Sequence, residues 1–252
     1  MSPATAALLF GVGGVAGVLN AVAGGGTLLT FPALVAAGLP PTVANATSAV
    51  SQWPGYVAAS WAGRQTLRQQ PQRAGLMSAS ALGGLASGLL VTVVSNAVFA
   101  GLVPWLILLA TVLFWAGPQL PRLTGTKQTA RPWPAPYVWT AQFVAAVYGG
   151  FFGGGMGIMM LALFVLALPG PLASLNALKN LMSVLIAGVA VIAFVVAGLV
   201  HWPSGLVMLA GAVSGGVYGA RLAQRLPQRL LRAVVVALGL VLSAVFFWRT
   251  LH

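Results

Sequence analysis

Among its 252 residues the chain has no aspartate, no glutamate and no cysteine. The missing carboxylates exclude paired-carboxylate hydrolysis, an aspartate-oriented triad, an EF-hand and a carboxylate proton relay. With no cysteine and only two histidines, the ligands for a protein-built zinc site are lacking. Disulfides cannot form, so cysteine usage says nothing about redox compartment. No catalytic residue, metal ligand or cofactor site is therefore expected. Charge of either sign is also scarce. Lysine and arginine total 12 and make up the 5 % charged residues, against about 25 % in a soluble domain. What is present instead is apolar: 59 % hydrophobic residues and a mean hydropathy of +0.97. A pI near 12 would suit nucleic acid on a soluble face, but this hydropathy argues for a lipid bilayer as the partner and against nucleic acid. The expected class is an all-α polytopic membrane protein.

Apolar segments fall at about 5–22, 27–38, 44–62, 75–95 and 98–116, and again at 137–152, 158–168, 175–199, 204–220 and 230–248. A polar, proline-rich linker separates the two sets. The expected division is a first membrane repeat over 1–117, a linker over 118–136 and a second repeat over 137–252. The apolar start, Ala4 to Leu19, has no basic residue before it and is read as mature protein, not a signal peptide. Segments 27–38 and 158–168 are too short for a hydrocarbon core of about 30 Å and read as half-helices.

The halves share landmarks in order. Gly24 to Asn45 and Gly155 to Asn176 both span 21 residues, and Gly83-Gly84 answers to Gly215-Gly216. Basic residues then set topology. Arg64, Arg68 and Arg73 form one cluster, Arg122, Lys127 and Arg131 a second, and Arg221, Arg225, Arg229 and Arg232 a third. If 64–73, 118–136 and 221–232 all face the cytoplasm, each half has an odd five passes, counting its glycine-broken or re-entrant hairpin as two. The halves are then inverted repeats, a plan that places a transport site where the broken helices meet. Arg249 is the exception to this rule.

Several residues stand out against that frame. Glycine-rich breaks at Asn20 to Gly26 and at Gly149 to Gly157 can turn backbone N–H groups toward a ligand. Within them Asn20, Gly25, Gly26, Gly154 and Gly155 are candidate contacts; tight turns are the plainer use. Lys179, in Asn176-Ala177-Leu178-Lys179-Asn180, lies inside an apolar segment with no acid in the chain to pair with it. A bound anion, a carbonyl or a lipid phosphate must serve instead; snorkelling to the interface is the alternative. Asn176 and Asn180 flank it. Asn45, Thr47, Ser48 and Gln52 occupy the matching stretch of the first half and offer uncharged donors. Asn45 and Asn176 also read as helix N-caps. His201, beside Trp202, reads as a surface residue, with a proton carrier as the alternative. The pattern Gly11-Val12-Gly13-Gly14-Val15-Ala16 mimics a dinucleotide fingerprint but lies inside a membrane segment and has no acidic partner. Gly13 and Gly17, Gly84 and Gly88, and Gly211, Gly215 and Gly219 have small-residue spacing for close helix packing within the protein; a homodimer interface is the other use of such a stripe.

These residues resemble the sulfite exporter TauE/SafE family of membrane transporters, which includes 4-toluene sulfonate uptake permease-type proteins. The resemblance covers nearly the whole chain. It rests on Gly24-Gly25-Gly26 with Phe31-Pro32 and Gly38-Leu39-Pro40, on Ala44-Asn45-Ala46-Thr47-Ser48, on Gly154-Gly155-Met156-Gly157, and on Asn176 to Asn180. It implies transport, mostly export, of small sulfur-containing anions across the bacterial inner membrane, with sulfite, sulfoacetate and other organosulfonates as the class of cargo. A neutral solute or a cation is the rival cargo; an integral-membrane enzyme or a structural subunit is the rival class. The absence of acids departs from any carboxylate-based coupling and leaves export driven by membrane potential alone, with proton symport on a protonated substrate as the alternative.

Overall fold

The computed structural model describes residues 1–22, 25–69, 72–116, 133–223 and 228–251. Among these are ten α-helices and one 3-10 turn, with no strand. In chain order they are α1 (Pro3–Val22), α2 (Thr27–Ala36), α3 (Pro41–Ala62), α4 (Arg73–Val93) and α5 (Asn96–Ala116), then α6 (Ala135–Phe151), α7 (Met156–Ala167), α8 (Leu172–Val196), α9 (Trp202–Ala223) and α10 (Gln228–Leu251). Each expected apolar segment has its helix. Most of the central linker, Gly24, and Arg225 between α9 and α10 fall outside the described residues, as do the surroundings of Gly219 and the side chains of Arg221, Arg229 and Arg232.

Four helices, α1, α4, α5 and α8, are long and apolar enough to cross a membrane. Helices α2 and α7 have 10 and 12 residues, about 15 and 18 Å by rise, so the half-helix expectation holds. Helix α3 is 22 residues long but more polar, because it carries the Asn45 to Gln52 stretch. It runs through Pro54 without interruption, and the Trp53 indole donates to the Val184 carbonyl of α8 at 3.1 Å.

The helix starts correct one expectation. Asn45 and Asn176 do not cap helices. Helix α3 is capped by Pro40 with Pro41 at its first position, and α8 by Pro171. Proline presets φ near the helical value and lacks the N–H that would go unsatisfied at a helix start, so it wins this position over asparagine further along. Lys179 consequently lies about 10 Å along α8 by rise.

Packing follows a regular plan. α1 packs on α9 and α6 on α4; α4 packs on α8 and α9 on α3; α2 lies against α1 and α3, and α7 against α6 and α8. Helices α3 and α8 meet at the centre, and α5 meets α10 at the side. One core cluster gathers around Phe31, whose ring lies 5.5 Å from Phe152 and 6.3 Å from Phe99. A second gathers around Met156, Met160, Phe164 and Leu178.

Small residues bring the paired backbones together. A Cβ on Gly17 would lie 2.1 Å from the Ala212 carbonyl oxygen, and one on Gly215 only 1.9 Å from that of Gly14. Gly84 and Gly88 meet α8 in the same way, at Ile186 and Ala190. These stripes are thus used inside the molecule. Gly215→Ala should lower the thermal unfolding midpoint of the detergent-solubilised protein, since overpacking against rigid backbone costs about 1–3 kcal/mol. Gly11→Ala is the control, because nothing lies within 4 Å of its Cβ position. Equal midpoints for the two variants would contradict the α1–α9 contact.

Candidate functional site

The first break begins with Asn20 near the end of α1. Its Oδ1 accepts from the N–H of Gly25 at 2.9 Å and of Gly26 at 2.8 Å. Its Nδ2 donates to Oε1 of Gln52, on α3. The chain then doubles back tightly enough that a Cβ on Gly26 would sit 3.0 Å from the Ala16 carbonyl oxygen. A side chain at either glycine would force its neighbours to move: a Cβ on Gly25 would meet the Phe114 ring at 2.0 Å, and one on Gly26 would meet Gln52 Oε1 at 2.6 Å. The Thr30 hydroxyl donates to the Gly26 carbonyl at 3.1 Å. Its own proton being committed, Thr30 accepts from Ser48 Oγ at 2.6 Å.

The second break uses left-handed glycines, Gly153 at φ +82° and Gly155 at φ +74°, a region costly for residues with a Cβ. Tyr148 donates its hydroxyl to the Gly154 carbonyl at 2.6 Å. Asn45 donates Nδ2 to the Phe151 carbonyl at 2.8 Å, tying α3 of the first half to the break of the second. The two breaks meet directly, since a Cβ on Gly153 would lie 3.3 Å from Thr27 Oγ1.

A narrow pocket opens at that meeting point. Its polar lining is Thr27, Asn45, Gln52 and Tyr56; Gly149, Gly150 and Gly153 give it a backbone wall. Gln52 is 2 % exposed, and its Nε2 has no hydrogen-bond partner. A buried, unpaired N–H donor costs about 1–3 kcal/mol, so Gln52 is a lining residue with hydrogen-bonding capacity to spare. Among the described residues no charged side chain lines it.

The sequence-based candidates separate into three groups. Asn45 and Gln52 line the pocket. Asn20, Gly25, Gly26, Ser48, Gly154 and Gly155 shape the breaks around it. The others lie further off. Thr47 Oγ1 accepts from the His201 N–H at 3.0 Å. Asn180 reaches the Ala59 carbonyl at 3.4 Å, and Asn176 is exposed. Lys179 does not line the pocket. It is half-buried, with Nζ 3.8 Å from the Cβ position of Gly157, next to the pocket residue Met156. One turn on, Ser183 Oγ donates to its carbonyl at 3.0 Å. Lys179, Ala187 and Ala190 share one face of α8 by helical spacing, and the two alanines line the pocket. Lys179 thus stands on the face that leads to it. Sequence reasoning missed Thr27 and Tyr56. Their signals were present: Thr27 directly follows the first glycine run, and Tyr56 lies one turn beyond Gln52.

Comparison with known proteins gives a consistent picture. The family model described as "Sulfite exporter TauE/SafE" matches residues 9–246. The chain is 30 % identical over 246 residues to "Probable membrane transporter protein YfcA" of Escherichia coli K12, covering 97 % of this chain and 90 % of that protein. It is also 30 % identical over 252 residues to a "Probable membrane transporter protein" of Haemophilus influenzae, covering 94 % and 92 % of the two chains. A shorter match, to "Probable membrane transporter protein ORF9" of a Sinorhizobium species, is 30 % identical over 163 residues and covers 63 % of this chain. No solved structure matches it significantly.

Proposed function

The chain belongs to the sulfite exporter TauE/SafE family of membrane transporters, and from that premise we propose that it exports small sulfur-containing oxyanions, such as sulfite, sulfoacetate or related organosulfonates, across the bacterial inner membrane. The observation that carries this reading is the unpaired Gln52 Nε2 in a pocket where both glycine breaks meet. An oxyanion offers acceptors and no donor, which is what this end of Gln52 lacks. Lys179, on the approach, supplies positive charge, and no acid in the chain competes for it. Nucleic acid and metal have no part in this reading.

Within it the two halves are inverted repeats, 1–117 and 137–252, joined by a cytoplasmic linker over 118–136, with 64–73 and 221–232 on the same side. The packing supports the repeat. Exchanging the first five helices for the last five turns α1–α9 into α6–α4 and α4–α8 into α9–α3. The same exchange turns α1–α2 into α6–α7, and leaves α3–α8 and α5–α10 as they are.

No carboxylate is available to carry a coupling proton, so the driving force is the membrane potential. An inside-negative potential is worth about 2.3 kcal/mol per charge per 100 mV, which sustains a gradient of about 50-fold for a monoanion. In proteoliposomes with an imposed potential and no pH gradient, sulfonate flux should rise with the potential and reverse with its sign. Flux indifferent to potential would overturn the uncoupled mechanism. Failure of every sulfur oxyanion to move would overturn the cargo.

A further inference from the structure

An amide side chain has a donor end and an acceptor end, and which end faces a pocket decides what the pocket accepts. Here the choice is made some distance from the pocket. The N–H groups of Gly25 and Gly26 can only donate, so Asn20 must turn Oδ1 toward them. Its Nδ2 then faces Gln52, which must answer with Oε1. Nε2 is the end of Gln52 left over, buried and unpaired. The polarity of two backbone N–H groups in the glycine break is thereby handed through two amides to the pocket wall.

We propose that Asn20 is the positioning residue that fixes the pocket's polarity, holding Gln52 with its donor inward so that cargo bearing only acceptors is taken and cargo presenting a donor is rejected. Asn20 itself touches no cargo, since both ends of its amide are occupied within the protein. The inference rests on the oxyanion reading of this pocket and adds the origin of its selectivity.

Asn20→Asp tests it with almost no change of shape. One oxygen of the introduced carboxylate still accepts from Gly25 and Gly26. The other can no longer donate to Gln52 and must accept from it, so Gln52 turns over and presents Oε1 to the pocket. Two uncharged probes of matching size report the polarity free of the charge the substitution adds: dimethyl sulfone, with acceptors only, and methanesulfonamide, whose NH2 donates. Binding of each, and of the anion methanesulfonate, to the purified full chain in detergent is measured by calorimetry. The wild type should prefer the sulfone to the sulfonamide and should also bind methanesulfonate. In Asn20→Asp the ratio of the two uncharged probes' affinities should move toward the sulfonamide by at least about tenfold, the effect of pairing or orphaning one buried polar group. If both affinities fall by the same factor, Asn20 is a structural residue only and the proposal is overturned. An unchanged ratio with unchanged affinities overturns it as well. A wild type that prefers the sulfonamide to the sulfone, or that does not bind methanesulfonate, overturns the oxyanion reading itself, whatever the variant does.

Discussion

Gln52→Glu should stop oxyanion transport while leaving the protein folded. The substitution is nearly isosteric. One carboxylate oxygen takes the place of Oε1 and still accepts from Asn20. The other takes the place of the unpaired Nε2 and replaces a donor with a negative charge. A unit charge about 4 Å from an anionic cargo, at an effective dielectric near 20, repels it by about 4 kcal/mol, or roughly a thousandfold in affinity. Efflux from proteoliposomes should fall to the protein-free rate, with an unfolding midpoint close to that of the wild type. A protonated carboxyl can donate, so activity should return as the pH is lowered far enough to neutralise the new group. A variant that transports at full rate at neutral pH would place the path of the cargo elsewhere.

The second large effect is expected at Lys179. Neutralising a buried charge ordinarily strands its partner and costs about 3–5 kcal/mol of stability. Here no carboxylate exists to be stranded, so Lys179→Ala should be neutral or stabilising for the fold. Its effect should fall on cargo. A positive charge acting over about 8 Å at the same effective dielectric is worth about 2 kcal/mol, so apparent affinity should drop by about thirtyfold. Lys179→Arg should retain most of it, because the charge persists. Transport assayed well below saturation, alongside thermal unfolding, separates the two roles. Full transport by Lys179→Ala would reduce the lysine to an interfacial side chain.

The helices were legible because hydropathy is a direct record of burial in lipid, and ten apolar runs became ten helices. The short α2 and α7 were legible for the same reason: a run too short to cross reads as such without any knowledge of its neighbours. Helix starts were less legible. Asparagine at Asn45 and Asn176 looks like a cap locally, yet the prolines four or five residues earlier had already begun each helix. The site was legible in outline, through the paired glycine runs and the polar stretch of α3. Its inner detail was not. Nothing in the sequence says that Asn45 spends its donor on the Phe151 carbonyl, or that Thr47 turns toward His201. Those choices depend on contacts 106 and 154 residues away along the chain. Lys179 attracted attention as the charge without a partner, while the end of Gln52 without a partner, a subtler vacancy, emerges only once Asn20 is seen to hold the other.

The lining of the pocket has one more consequence. Thr27, Asn45, Gln52 and Tyr56 include neither a carboxylate nor an imidazole. From mildly acid to neutral conditions the chamber therefore keeps one electrical character. Any slope in transport against pH over that range belongs to the passenger. A strong-acid sulfonate, ionised throughout, should show a level profile, whereas a weaker acid such as sulfite should trace its own titration, so that the protein acts as a fixed electrode against which the protonation state of its cargo can be read.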